Sequence, residues 1–395
     1  MITREAVLLF LNSNAFIGNI EKQYDDYFAK TGAKIGDTLR IRLPSDYTVA
    51  TGPALSVQDT NQQSTTLTVA TQKHVDVSFS SVERTMSLDN YSELVLAPMV
   101  NNLAGAVAAD IMSGVEGGVC NLSQNTDSNS NIISPTADTW LDAGASLDLN
   151  SAQVADRKVV ASPRTMARSV SSLSGLLNPQ QSISRQYESA RIYDALNFEW
   201  FQDQTVLTHT SGSFTAGTVS GANQTGTTIT LNAITGTLAV GDIITFAGVN
   251  AVNRVTKVDT GELRQFVVTA AVASGGTSVT IYPALTPPSS GNAVQYQTVT
   301  ASPANSAALK LVTQASGQYR MNIAYARQAI TMVTADLEIP AGGIIEGARA
   351  KKDGITMRMI SQYIIGTDQT ATRLDVLYGY LFVRPEWAVI VADKL

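Results

Sequence analysis

From about residue 211 to Tyr296 the chain carries almost no helix signal, and this stretch most limits the folds open to it. Four β-branched runs follow one another at short spacing: TTITLNA (227–233), DIITFAGV (242–249), RQFVVTAA (264–271) and TSVTIYPAL (277–285). Turns containing Gly, Asn and Pro separate them. Short, evenly spaced strands of this kind predict a small all-β sandwich or barrel. The pattern is α+β on both sides, so the β segment reads as a domain inserted into another fold. Such insertions are tolerated where the two ends of a loop lie close together. A chain of 395 residues has room for two or three domains.

Before the insertion, residues 1–30 read as an amphipathic helix. Phe16, Ile20, Tyr24, Tyr27 and Phe28 form one apolar stripe. Glu21, Asp25 and Asp26 lie off it, either as a solvated helix face or as an acidic docking face for a basic partner. The run TLRIRL (38–43) alternates like a strand until Pro44 stops it, and alternation returns at Thr66–Ala70 and His74–Val82. With the polar excursion between, these strands read as a hairpin arm. Such an arm buries too little apolar area by itself and gains it by lying over a neighbour. Residues 89–120 are the longest helix candidate, with Asp89 as N-cap and Pro98 kinking it or delaying its regular start. Residues 121–137 read as a loop, 138–149 as a helix and Arg157–Ala161 as a short buried strand. Ser162-Pro163 then opens another helix.

After the insertion, 323–334 predicts a strand or helical turn. Thr356–Ile364, Asp375–Val383 and Trp387–Val391 predict strands, and the basic Arg349–Lys352 a turn between strands.

The residues give little chemistry to work with. Two histidines, His74 and His209, and one cysteine, Cys120, leave too few ligands for a zinc site. Both histidines read as surface or interface residues. A lone thiol forms no internal disulfide, and Cys120, at a helix end, reads as inert and buried. No Walker loop, G-x-G-x-x-G turn or G-x-S-x-G elbow occurs. No catalytic, cofactor-binding or metal residue is therefore assigned, and no enzyme activity or cofactor is expected. With 27 basic and 33 acidic residues the formal charge is −6. That excludes a protein whose main work is gripping phosphates, which needs a basic excess. Charged residues are only 15% against 44% hydrophobic. Either much of the surface is buried against other subunits, or it is simply rich in Ser and Thr. No apolar run reaches the length of a membrane span, about 18 residues, and Ala6–Leu11 is too short for a secretory core. Cytoplasmic folding and no membrane contact are the expectations.

Three C-terminal stretches carry a resemblance. Asn322-Ile-Ala-Tyr325-Ala-Arg327-Gln-Ala-Ile330 runs on to Ile339-Pro340. Asp353-Gly-Ile-Thr-Met-Arg358 is followed by Tyr363. Arg373-Leu-Asp375-Val-Leu-Tyr378-Gly379 precedes Arg384-Pro385-Glu386. In this order they resemble the end of tailed-bacteriophage major capsid proteins of the HK-97-type fold. Thr218–Ala222 followed by Gly241–Val249 resembles the inserted β domain of P-22-type coat proteins, with a shorter loop between the two motifs.

The resemblance implies an α+β capsid fold in five parts: an N-terminal arm (1–36), an extended hairpin arm (37–85), a peripheral domain with a long spine helix and the start of an axial domain (86–210), an inserted all-β domain (211–299), and the axial domain with C-terminal strands (300–395). It implies a non-catalytic subunit that assembles with itself, as hexamers and pentamers, into an icosahedral shell. The shell forms in the host cytoplasm with a scaffolding protein and a portal, and encloses double-stranded DNA without sequence-specific binding. Asn322, Tyr325, Arg327, Arg373, Asp375, Tyr378, Gly379, Arg384, Pro385 and Glu386 become motif residues holding the fold, and Glu21, Asp25 and Asp26 candidate partner contacts. Other readings are an encapsulin-like compartment of the same fold enclosing a cargo enzyme, a Thr-rich adhesin or tail-fibre module, and an enzyme.

Overall fold

The structure is a computed structural model describing residues 2–25, 38–43, 47, 52–53, 57, 62–80, 92–173, 192–288, 294–340, 342 and 346–395. The chain forms two compact units. One comprises Met1–Arg42, Ser64–Ile111 and Ile330–Val383; the other comprises Leu43–Gln63, Met112–Ala329 and Arg384–Leu395.

The first unit is built on a six-stranded sheet. Its main path runs Glu21–Asp25, Ile330–Ala335, Gln369–Phe382, Ile355–Ile364, Glu346–Lys352. The long strand Gln369–Phe382 is shared at one edge. Its residues Gln369–Tyr378 pair with Thr71–Ser80, and Leu377–Phe382 pair with Ile330–Ala335. Gly379 lies just past this handover. A Cβ there would stand 2.2 Å from the Thr68 carbonyl oxygen, so only glycine lets the backbone of 68–69 cross. Leu67, Val69, Val333, Ala335 and Leu377 form the small core under that crossing, with Leu39 and Ile41 packed on it. It anchors the hairpin Thr38–Arg42/Ser64–Thr68.

The N-terminal stretch departs from the single amphipathic helix expected. Helix α1 (Ile2–Ser13) is followed by the short α2 (Ala15–Asn19), capped by Asn14 Oδ1 accepting from Ile17 N at 3.0 Å. Ile20 is extended (φ −86°, ψ 164°), and Glu21–Asp25 becomes a strand parallel to Thr331–Ala335. Phe16, Ile17 and Ile20 are fully buried, so the helical stripe ends at Ile20, and ladder hydrogen bonds to a strand over 300 residues away take over. Tyr27 and Phe28 lie outside the described residues.

Thr71–Ser80 likewise pairs along its whole length within the chain. Arg349–Lys352, expected as a turn, belongs to the edge strand Glu346–Lys352, where Arg349 stands opposite Arg358. Two like charges face each other there, and carboxylates relieve both: Asp336 lies 3.6 Å from Arg349, and Asp375 holds Arg358.

Helix α3 (Ala97–Gly118) begins after one wide turn, Ser92–Leu96, so Pro98 falls in the first turn of the regular helix. Contrary to the expectation, Leu94–Gly118 is long and apolar enough to cross a membrane by length and composition. Its alanines raise its hydropathy without forming one continuous bulky run. Val100, Leu103, Val107, Ile111 and Val115 are buried inside the folded chain.

The second unit holds a seven-stranded mixed sheet. Its main path runs Asn121–Ser123, Ala388–Lys394, Gln318–Ala326, Arg157–Ala161, Phe198–Gln202, Asp194–Ala195; Thr208–Thr210 pairs with Gln318–Arg320. Helix α4 (Ala137–Leu149) packs on Ala388–Lys394, and its Trp140 meets Trp200 edge-on at 4.6 Å. Helix α5 (Pro163–Leu173) begins where Ser162 Oγ accepts from Thr165 N.

A five-stranded sheet follows the order Gly226–Thr230, Ser278–Leu285, Phe266–Val268, Ile243–Phe246, Leu309–Leu311. Its core runs from Phe214 to Leu309 and includes an edge-on Phe246–Phe266 pair at 5.6 Å. The β-rich stretch thus extends past Val299. The chain enters and leaves this cluster side by side: Ser211 N donates to Gly317 O, Ser316 N to Gly212 O, and the Ser211 and Thr313 hydroxyls are 2.8 Å apart.

Candidate functional site

The motif residues resolve into buried polar fastenings. On Gln318–Ala326, Asn322 is fully buried. Its Oδ1 accepts from Ser162 N at 2.8 Å and its Nδ2 donates to Val391 O at 3.0 Å. One side chain therefore ties the start of α5 and the last strand to the centre of the sheet. Tyr325 is buried, and burial pushes its phenol well above the usual range. Arg327 follows on a short helical turn, its backbone N–H bonded to Asp156 O at 3.2 Å.

Asp375 is also fully buried. It accepts from Arg358 Nη2 at 2.5 Å, Arg358 Nε at 3.1 Å and Gln72 Nε2 at 2.9 Å, so strands on both sides of it are joined through one carboxylate. Two residues earlier, Arg373 grips Asp76 in a two-pronged pair at 2.8 and 3.0 Å. That contact, with His74 3.1 Å away, holds the exposed Asp76 carboxyl below the usual range. Tyr378 donates to Asp110 of α3 at 2.6 Å, and burial together with that carboxylate raises its phenol.

Arg384-Pro385-Glu386 forms a corner. Pro385 opens a short helical turn, and Arg384 stacks over Trp387 at 4.5 Å. Glu386 accepts from Arg254 of the β-rich cluster at 2.6 Å, and Arg384 lies 3.6 Å from it.

Glu21 and Asp25 do not lie on a helix. Glu21 is half-buried on the strand Glu21–Asp25. The Asp25 side chain and all of Asp26 lie outside the described residues.

Sequence reasoning missed one constellation. His209, expected at a surface or interface, is buried between two carboxylates: Nδ1 stands 2.7 Å from Glu116 Oε1 and Nε2 3.0 Å from Asp242 Oδ1. Both ring nitrogens face acceptors, so the doubly protonated ring satisfies both contacts. Burial alone would lower its pKa; the hydrogen bonds and charges of Asp242 and Glu116 outweigh it and raise the pKa above 6.5. Asp242 is fully buried and also accepts from Gly212 N and Ala239 N at 3.0 and 2.7 Å. Gly241 (φ +93°) closes the packing, since a Cβ there would meet Glu116 Cγ at 2.4 Å. Glu116 belongs to the last turn of α3, where a cation is also favoured by the helix dipole. The triad thus joins the end of α3, the entry strand at 208–210 and the loop before Ile243. Its members lie 93 and 33 residues apart in the chain, and no local signal marks them.

Cys120 is buried, and burial raises its thiol. Among the described residues no group of three or more His, Cys, Asp or Glu is placed to hold a metal.

A family model described as P22 coat protein (gene protein 5) matches residues 13–391. Curated proteins yield no match. Among solved structures, one of Mycobacterium phage Che8 aligns over 96% of this chain and 90% of its own, at 11% identity and TM-score 0.47. The capsid of Ralstonia phage GP4 aligns over 96% and 91%, at 8% identity and TM-score 0.47. The CUS-3 coat protein I-domain aligns over 25% of this chain and 96% of its own, at 36% identity and TM-score 0.20.

Proposed function

The chain belongs to the P22 coat protein family and is a major capsid protein, a structural subunit that assembles with itself into the shell of a phage virion; from that premise we propose how its parts divide the work. The family match over nearly the whole chain carries the reading. We assign no catalysis to it. Residues 1–36 serve as an N-terminal arm, 37–85 as an extended arm, 86–210 and 300–395 as the peripheral and axial parts, and 211–299, closed by the strand at 309–311, as an inserted β domain. The side-by-side entry and exit at Ser211–Gly212 and Thr313–Gly317 support the insertion, since such a neck adds a domain without disturbing the sheet that carries it.

Assembly proceeds in the host cytoplasm through many weak, symmetry-repeated contacts, guided by a scaffolding protein and a portal. The shell encloses double-stranded DNA without gripping it, in keeping with the −6 charge. Exposed apolar positions support burial against other copies: Ile365, at the turn between two long strands, is 85% exposed, with Tyr363 and Ile364 beside it. Ile365→Ser is expected to leave the subunit folded by circular dichroism and to lower shell yield; unchanged yield removes the hairpin tip from the contact set. Deleting 45–63 tests the extended arm: normal particle yield and stability without it would contradict the assignment. Alanine at Glu21, Asp25 and Asp26 together tests the acidic docking surface. Scaffold-directed assembly weakens if they meet a basic partner and is unchanged if they are solvated.

A further inference from the structure

A cavity of about 460 Å³ in the second unit is lined by Arg254, Lys257, Arg264, Tyr282, Gln295 and Glu386, among others. Three cations and one carboxylate line it, on a chain whose net charge is −6. The carboxylate is already engaged: Glu386 accepts from Arg254 at 2.6 Å and stands 3.6 Å from Arg384.

Arg264 has no such partner. Its Nη2 meets only the Cys120 sulfur, at 3.8 Å, and its Nε is sealed from solvent with no acceptor. No carboxylate lies within ion-pair distance of it among the described residues. The neighbouring thiol and the Tyr282 phenol are both kept protonated by burial and supply no counter-charge.

The backbone that carries Arg264 is held in place. The next residue, Gln265, hydrogen-bonds Leu122 N at 2.6 Å and Leu122 O at 3.1 Å, imitating a strand partner. Arg264 N donates to Val249 O. A half-buried guanidinium without a counter-ion, on a held backbone and lining a cavity with two further cations, is an arrangement that an oxyanion completes, because a planar fork of N–H donors matches carboxylate and phosphate oxygens.

We infer that this cavity is an oxyanion site that takes a phosphate or carboxylate group, with Arg264 as its principal donor and Lys257 supporting it. The shared chemistry has two sources in a shell protein: a free inorganic anion, or an acidic side chain of a neighbouring copy.

Calorimetric titration of full-length, disassembled subunits with inorganic phosphate, at constant ionic strength set by sodium chloride, tests it. Saturable binding is expected, weakened at least tenfold in Arg264→Gln and measurably in Lys257→Gln. The second substitution lies on a partly exposed turn and carries the test alone if the first does not fold. Repeating the titration on closed shells separates the sources. Binding retained in shells identifies a free anion, and binding lost in shells identifies a neighbour's carboxylate already in place. No saturable binding to subunits, or binding unchanged in both variants, overturns the site.

Discussion

Replacing His209 tests the buried triad at the neck of the β-rich cluster. His209→Ala leaves Asp242, fully buried, without its ion partner. Removing one partner of a buried pair costs about 3–5 kcal/mol. Two backbone donors, Gly212 N and Ala239 N, still hold the carboxylate, which places the cost near the lower end, about 3 kcal/mol. Glu116 is 36% exposed and adds little, because water takes over its half of the contact.

The same geometry fixes the pH dependence. The folded-state pKa of His209 lies above its ordinary 6.5, so its stabilisation is fully present below about pH 6.5 and is lost as pH rises through the raised value. Between those limits the unfolding free energy of the wild-type subunit falls with pH, by at most about 1.4 kcal/mol per unit for one proton. His209→Gln removes that slope. The assay is urea unfolding of disassembled subunits across pH 6 to 9, with Asp242→Asn and the double variant completing a cycle. Equal pH profiles for wild type and His209→Gln, or a cost under about 1 kcal/mol for His209→Ala, the level of an ordinary hydrogen bond, would refute the argument.

Asp375→Ala strands Arg358, 12% exposed, without its two-pronged partner and is expected to cost about 3–5 kcal/mol in denaturant unfolding; Asp375→Asn, which keeps acceptor oxygen, costs less. Asn322→Ala unmakes two buried hydrogen bonds, about 1–3 kcal/mol for each group left unsatisfied, measurable as a lowered urea midpoint. Gly379→Ala forces the crossing at Thr68 apart and is expected to destabilise by about 1–3 kcal/mol, as overpacking does, and to increase proteolysis of the 38–68 hairpin; cleavage at the wild-type rate would contradict the crossing.

Local signals read well where one residue decides a boundary. Ser162-Pro163 opens α5, and Arg157–Ala161 is the strand its β-branched centre suggests. Pro98 marks the regular start of α3. The alternating runs of 227–285 became strands because each presents one face to a shared apolar core. The reading failed where distant pairing decides. Phe16, Ile20 and Tyr24 keep helical spacing, yet strand 330–335 captures Glu21–Asp25. The cluster Arg349–Lys352 looked like a turn because two facing arginines are tolerable only beside Asp336 and Asp375, which no local window contains. His209 looked like a surface residue for the same reason: its two carboxylates come from other elements.

Electron microscopy of the purified protein, expressed with and without a candidate scaffolding partner, tests the central claim most directly. Closed shells of uniform diameter are the expected result. A monodisperse monomer or small oligomer under both conditions would contradict the capsid account.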